Sequence, residues 1–328
     1  MKILAVDDDE VVRELLSAVL TTIGFTHVKF AVSGADALRI VDQEDTVFDC
    51  FLLDIQMPSM TGISLLSKLR SHEAYARTPI LMITAMSDRT YIDSAFAAGA
   101  TDYINKPFNI SELQARLKLI EQLVMKRVEQ QSRNPVEVSD KPNALMAAAN
   151  TQERLHIEDV DRVIDYLSLE NYILQMSRVS LFGNCVFGVV IKDGDRIFNR
   201  SSDYEYRYII TDIAEAISEC AKPYNFFVAH AGCGDFACIS DIGRMFDSRQ
   251  FALEIDAKIR EMDLFFCDGR PMLINVAVGQ PIQLDMKSPQ SSVKALLQAL
   301  RCAEDAARTP NTSLVSKSPG WKKMLSFG

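Results

Sequence analysis

The chain has 328 residues, enough for two ordinary domains, and 48% of them are hydrophobic, so each half can bury a core. Its 35 basic and 44 acidic residues leave a formal net charge of −9, which argues against a general nucleic-acid binder. No apolar run approaches the ~20 residues that span a bilayer, and residues 1–6 lead into acids rather than through a signal-peptide core.

The seven cysteines form no CxxC pair and have no histidine at metal-ligand spacing, so they are expected as free thiols in a cytoplasmic protein. Cys233 and Cys238 are expected to be buried thiols rather than a redox pair.

The first third alternates short β-rich runs at 3–6, 27–31, 50–53, 80–83 and 102–104 with apolar residues at helical spacing, such as Val12, Leu15, Leu16, Val19 and Leu20. Strands alternating with helices predict a doubly wound, parallel five-stranded α/β sheet whose functional crevice lies at the carboxyl ends of the strands. A fifth helix starts near Asn109 with a stripe of Leu113, Leu117, Ile120, Val124 and Val128. The stripe to Ile120 fits packing on the domain's own sheet. Its continuation is expected to pair with a second copy or to bridge to the next domain.

Asp7, Asp8 and Asp9 follow the first strand, and Asp54 ends the third. Alone, the acidic run reads as a helix cap and Asp54 as a turn residue. In a parallel sheet, however, strands one and three are neighbours, so Asp7, Asp8 and Asp54 converge. Converging carboxylates raise one another's pKa, and a divalent cation relieves that conflict; Mg²⁺ suits a site of few carboxylates, waters and a phosphoryl oxygen. Thr84 at the end of the fourth strand supplies a hydroxyl and Lys106 after the fifth an ammonium. The set points to phosphoryl transfer onto a carboxylate.

These residues, with 3–9, Leu53-Asp54-Ile55-Gln56-Met57-Pro58, Gly62, Ile83-Thr84-Ala85 and Lys106-Pro107-Phe108, resemble the receiver domain of two-component response regulators (a CheY-like, flavodoxin-like fold) over about residues 1–125. The resemblance implies that Asp54 is the phosphoacceptor and that the donor is a phosphohistidine on a sensor histidine kinase or phosphotransfer protein. It implies Mg²⁺ on Asp7, Asp8, Asp54 and the backbone carbonyl of Gln56, and phosphoryl contacts from Thr84 and Lys106. Tyr103 matches the family's switch aromatic, and Gln56 and Met86 flank the pocket.

Residues 126–164 are expected to be a helical extension and linker, with Ser132-Arg133-Asn134-Pro135 stopping the helix and a second helical pattern over 152–179. A second, α+β domain is expected over 165–310, in the order β-α-β-β-α-β plus a closing helix, with helices on one face of an open sheet. Its central hairpin carries Gly232-Cys233-Gly234-Asp235-Phe236-Ala237. That turn resembles the GGDEF signature of diguanylate cyclases, a nucleotide-cyclase-like fold, and 274–279 resembles the strand after that family's second core helix.

Residue by residue, the resemblance places the two cyclase metal ligands at Ile191 and Gly234, where neither residue has a carboxylate. Asn199 matches a guanine-contacting asparagine, while the phosphate-binding lysine falls near Ala307. A shifted register brings Asp193 or Asp195 to the first ligand position but restores nothing at Gly234. Residues 311–328 read as a disordered basic tail.

The expected function is a response regulator with a catalytically inactive, degenerate GGDEF-like output domain that acts by binding an unidentified downstream protein, with a homodimer possible and neither nucleic acid nor membrane as a partner. An active diguanylate cyclase making cyclic di-GMP from GTP, or a non-catalytic nucleotide sensor, are the alternatives.

Overall fold

The structure is a computed structural model and describes residues 1–44, 46–85, 89–133, 153–176, 181, 183–199, 201–241, 246–284 and 289–308. Met86 and the expected tail lie outside them.

The first sheet is formed by β1 (Ile3–Val6), β2 (Val28–Ala31), β3 (Cys50–Asp54), β4 (Ile80–Thr84) and β5 (Asp102–Asn105) in the order β2-β1-β3-β4-β5. Every pairing is parallel. Alternate residues of the central strands point to opposite faces. Ile3, Ala5, Leu52 and Leu81 pack with α1 (Glu10–Thr22) and α5 (Ile110–Arg133). Leu4, Val6, Phe51, Leu53 and Met82 pack with α2 (Gly34–Gln43), α3 (Gly62–Arg70) and α4 (Arg89–Ala97). Burial on both sides explains why these strands read as unbroken apolar runs rather than alternating ones.

Asp9 caps α1 by accepting from the backbone N–H of Val11 at 2.8 Å, which separates its role from that of Asp7 and Asp8. The α5 stripe is buried through Ile120 at 3% exposure, whereas Val128 is 57% exposed, so the helix outruns the sheet that holds it.

The expected helix over 152–179 is corrected. Among the described residues of that span, only α6 (Tyr166–Gln175) is helical, beginning after the extended N-cap Asp165. Upstream, Asp159 and Arg162 have φ of 60° and 56°, which no helix accommodates. That segment instead lies along a strand edge: Ile164 N–H donates to Val228 at 2.8 Å, and Val228 N–H donates to Arg162 at 3.0 Å. Ile157 is buried in the second core, so 153–164 belongs to the second domain rather than to a linker.

The second sheet comprises β6 (Cys185–Ile191), β7 (Phe226–Gly232), β8 (Asp235–Ser240), β9 (Val276–Val278) and β10 (Ile282–Gln283). It runs β10-β6-β8-β7, with β9 beside β10 on the same edge of β6, and every pairing is antiparallel. A short helix, α7 (Gly194–Phe198), follows β6. The expectation of helices on one face is also corrected. α8 (Asp203–Ala221) and α9 (Ser248–Glu261) cover Phe187, Val189, Val228 and Phe236. The opposite residues Val186, Phe227, Ala237 and Ile239 pack with α6 and α10 (Pro289–Arg308). Both sides of β6 are apolar, and Gly188 lets α10 approach so closely that a Cβ there would sit 2.7 Å from the Ala299 carbonyl oxygen.

α6 is buried on almost every side because it lies between the two sheets. The rings of Phe96, Tyr172 and Phe227 follow one another at centroid distances of 5.3 and 4.8 Å, joining the cores of the two domains. Burial pushes the Asp165 carboxyl up, but His156 and the Arg127 and Arg70 guanidiniums outweigh burial and hold it below the usual range. The Asp165 carboxylate of the second domain thus lies in the field of guanidiniums on α3 and α5.

His230 anchors the corrected segment, its Nδ1 accepting the Leu155 N–H at 2.8 Å. Burial, with Arg154 nearby, holds its pKa down at about 4, against an ordinary 6.5. The unfolded chain therefore takes up a proton below pH 6.5 that the folded state refuses until about pH 4. Stability falls across that window, by up to about 3 kcal/mol. Urea unfolding at pH 7 and pH 5 should show this loss in the natural chain and its disappearance in His230→Gln, which keeps an acceptor for Leu155.

Candidate functional site

The carboxyl ends of β1, β3, β4 and β5 bring Asp7, Asp54, Thr84 and Lys106 together. Asp7, Asp54 and Thr84 are buried, at 1%, 5% and 0% exposure, whereas Asp8 is exposed. Oxygens of Asp7, Asp8 and Asp54 lie within 4.8 Å of one another, and among the described residues no other histidine, cysteine or carboxylate group meets the same geometry. Lys106 Nζ is 2.6 Å from Asp7 and 3.3 Å from Asp54. The Lys106 backbone N–H donates to the Thr84 carbonyl at 2.7 Å, tying the ends of β4 and β5. The peptide between Lys106 and Pro107 is cis.

Burial pushes the Asp54 pKa up; Lys106 opposes this, the Asp7 charge adds to it, and the backbone of Gln56 lowers it by hydrogen bonding. Three carboxylates at the mouth of a solvent-exposed site, one of them exposed, suit a hard divalent cation with room for water. Beside them lies a cleft of about 490 Å³ lined by Asp8, Gln56, Met57, Thr61 and Tyr91. Gly62 makes the site's backbone possible, since a Cβ there would lie 2.0 Å from the Asp54 carbonyl oxygen.

A family model, the response regulator receiver domain, matches residues 3–118. The chemotaxis protein CheY-3 of Vibrio cholerae is 40% identical over 124 residues, covering 38% of this chain and 94% of that protein. The chain belongs to the response regulator receiver family. The chemotaxis protein CheY of Pseudomonas aeruginosa is 38% identical over 120 residues, covering 37% of this chain and 95% of that protein. The solved structure of Vibrio cholerae CheY4 shares 34% identity over 36% of this chain and 97% of its own, with a TM-score of 0.34. These matches fall on the receiver, about a third of the chain.

Tyr103 sits on β5 of the receiver, buried at 2% exposure, with burial pushing its pKa up to about 12. Its hydroxyl reaches the carbonyl of Gln175 on α6 at 3.4 Å.

In the second domain, Cys233 and Gly234 form a two-residue turn between β7 and β8, both with positive φ, 54° and 79°. That is the hairpin turn whose twist matches antiparallel strands. Cys233 is exposed at its tip and only Cys238 is buried, which corrects the expected burial of both. Phe236 is fully buried. A Cβ on Gly234 would lie 2.4 Å from the Phe198 ring and 3.0 Å from Ile191 Cδ1. Asp193, Asp195 and Asn199 are exposed. Burial, then Glu304 and Asp195, push Asp235 up to about 7.

Sequence reading missed α6 as a contact element. A signal was present: residues 166–175 carry a single charge, Glu170, and a helix without a polar face is buried. It also missed Glu304, which no motif in α10 announces.

Among the described residues, no helix is long and apolar enough to cross a membrane.

Proposed function

We propose that the chain is a phosphorelay response regulator that accepts a phosphoryl group on Asp54 and signals through a non-catalytic second domain. The observation that carries this is the convergence of Asp7, Asp8, Asp54 and Lys106 at adjoining strand ends. An Asp54 carboxylate oxygen attacks the phosphorus of a phosphohistidine on a sensor kinase or phosphotransfer protein. The P–N bond breaks and its electron pair returns to the donor imidazole. Lys106, now shared by two carboxylates, turns to the incoming phosphoryl oxygens, and the Thr84 hydroxyl donates to one of them. Asp7, Asp8, Asp54 and the Gln56 carbonyl would hold Mg²⁺, which supplies further neutralisation of the phosphoryl charge. Tyr103 is the aromatic whose position follows Thr84.

The second domain is read as a degenerate GGDEF-like domain that binds a downstream protein and is not an enzyme. Support comes from the turn itself: Phe198 and Ile191 crowd the place where a side chain at Gly234 would stand. Met125, on the exposed continuation of α5, offers apolar surface to a second copy, so a homodimer belongs to the same proposal.

Incubating the full chain with a phosphorylated histidine donor and Mg²⁺ should label Asp54 with an acid-stable, base-labile phosphate. Asp54→Asn should abolish labelling, a loss above 100-fold; labelling that survives the substitution would remove Asp54 from the role. GTP added with beryllofluoride should give no cyclic di-GMP, and product would restore the cyclase alternative.

A further inference from the structure

The outer face of α8 carries an exposed stripe. Tyr204, Tyr208, Asp212 and Glu215 follow one another at spacings of four, four and three, so they share one side of the helix. Tyr204 is 78% exposed and Tyr208 69%, while Tyr206, Ile209, Ile210 and Ile213 turn the other way into the second core. Two aromatic rings one turn apart in water mark an interaction surface. Beside them, burial and then Glu215 push the Asp212 carboxyl up, and no cation among the described residues offsets them. Arg207 falls to one side of the stripe, and Lys222 is taken by Glu219. The face is therefore aromatic at its start and acidic further along.

Residues 309–328 have the complementary composition. They hold Lys317, Lys322 and Lys323 and no acid, and Trp321, Met324, Leu325 and Phe327 fall within seven positions. A stretch that only solvates is poor in aromatic and aliphatic side chains. The geometry brings the two together. α8 starts at the turn between β7 and β8, where Gly234 hydrogen-bonds the Tyr206 hydroxyl. α10 ends at the same turn, where Glu304 acts on Asp235. Trp321 lies thirteen residues beyond Arg308, a reach of up to about 43 Å when extended, whereas the 19 residues of α8 are about 28 Å long.

We propose that residues 321–327 dock on the outer face of α8 of the same chain, with Trp321 and its apolar neighbours against Tyr204 and Tyr208 and the lysines against Asp212 and Glu215. The contact is an intramolecular cover, so a partner that recognises this face must first displace it. It does not depend on the Asp54 reading.

Trp321 is the only tryptophan in the chain, so its selectively excited fluorescence in the full chain reports the docking. Its emission should be blue-shifted and its acrylamide quenching at least about three-fold weaker than in a synthetic peptide of residues 309–328, because so short a connection supplies a millimolar effective concentration that keeps even a weak contact mostly closed. Lys322→Glu with Lys323→Glu should bring both readings to those of the peptide. Tyr204→Ser with Tyr208→Ser should do the same, and both positions are exposed, so urea unfolding should stay that of the natural chain. Peptide-like emission and quenching in the natural chain overturn the docking. Protection that survives the tyrosine substitutions overturns α8 as the surface. Protection that rises with protein concentration makes the occupant a second copy and overturns the intramolecular contact.

Discussion

Gly62→Ala should destabilise the receiver by about 3 kcal/mol or more and abolish phosphorylation of Asp54 in the fraction that still folds. Gly62 opens α3, and its N–H donates to the Ile55 carbonyl at 2.9 Å, which presses the helix start against the end of β3. A methyl group there would stand 2.0 Å from the Asp54 carbonyl oxygen and 3.0 Å from Ile55 Cα. Both are main-chain atoms and cannot rotate aside, so α3 must lift or the end of β3 must bend. Either movement shifts Asp54 relative to Lys106. Urea unfolding measures the first effect and labelling by a phosphohistidine donor the second. An alanine variant of natural stability and labelling would show that the strand end yields far more easily than its packing implies.

Asp235→Asn should have the opposite sign, with an effect that grows from nothing near pH 4 to its full size above about pH 7. The carboxyl of Asp235 is pushed up to about 7 from an ordinary 3.8 by burial and by Glu304 and Asp195. A raised carboxyl pKa means that the folded state holds the proton more tightly than the unfolded chain does. That contribution is complete below about pH 4 and is lost as the pH rises through 7. At pH 8 the natural chain must keep a charged carboxylate beside two others, so the amide should be more stable by about 2 kcal/mol, after discounting for partial exposure. Near pH 4 the two chains should unfold alike. A variant that is less stable at pH 8, in buffer containing Mg²⁺, would mean that Asp235 meets a cation at the turn and would reopen the cyclase alternative.

The receiver was legible in the sequence because its signals are local and redundant. Runs such as Ile3–Val6 and Ile80–Thr84 are buried on both faces and so are apolar throughout, and each ends at a polar residue that the pocket needs. The second domain was legible as a set of elements but not as an arrangement. Leu155, Ile157, Val160, Val163 and Ile164, upstream of Tyr166, look helical by spacing, yet the positive φ of Arg162 and the pairing of 162–164 with Val228 depend on a strand more than sixty residues away. The two-sided covering of the second sheet was hidden for a related reason. Alanines and glycines of β6 to β8, such as Gly188 and Ala237, mark close helix approach as readily as open space, and only the position of α10 decides between them. The contacts across the domain boundary were invisible, since Gln175, Asn184 and Asn225 are ordinary surface residue types until a partner is known.

Residues 162–164 lying along β7 have an effect on the company this protein can keep. They take up hydrogen-bonding groups of Val228 on the outer edge of the second sheet. At the other edge, β6 is occupied by the short strands β9 and β10. On the receiver, side-chain amides of Asn171 and Gln175 sit on the Thr101 and Tyr103 carbonyls along the outer edge of β5. A neighbour that docks by donating an extra strand, whether a signalling peptide or an aggregating copy of the same chain, finds the Val228 groups of β7 and the Thr101 and Tyr103 carbonyls of β5 already taken. At those positions recognition is left to side chains on helices and turns, where specificity is set by shape and charge rather than by backbone pairing that any extended segment can offer.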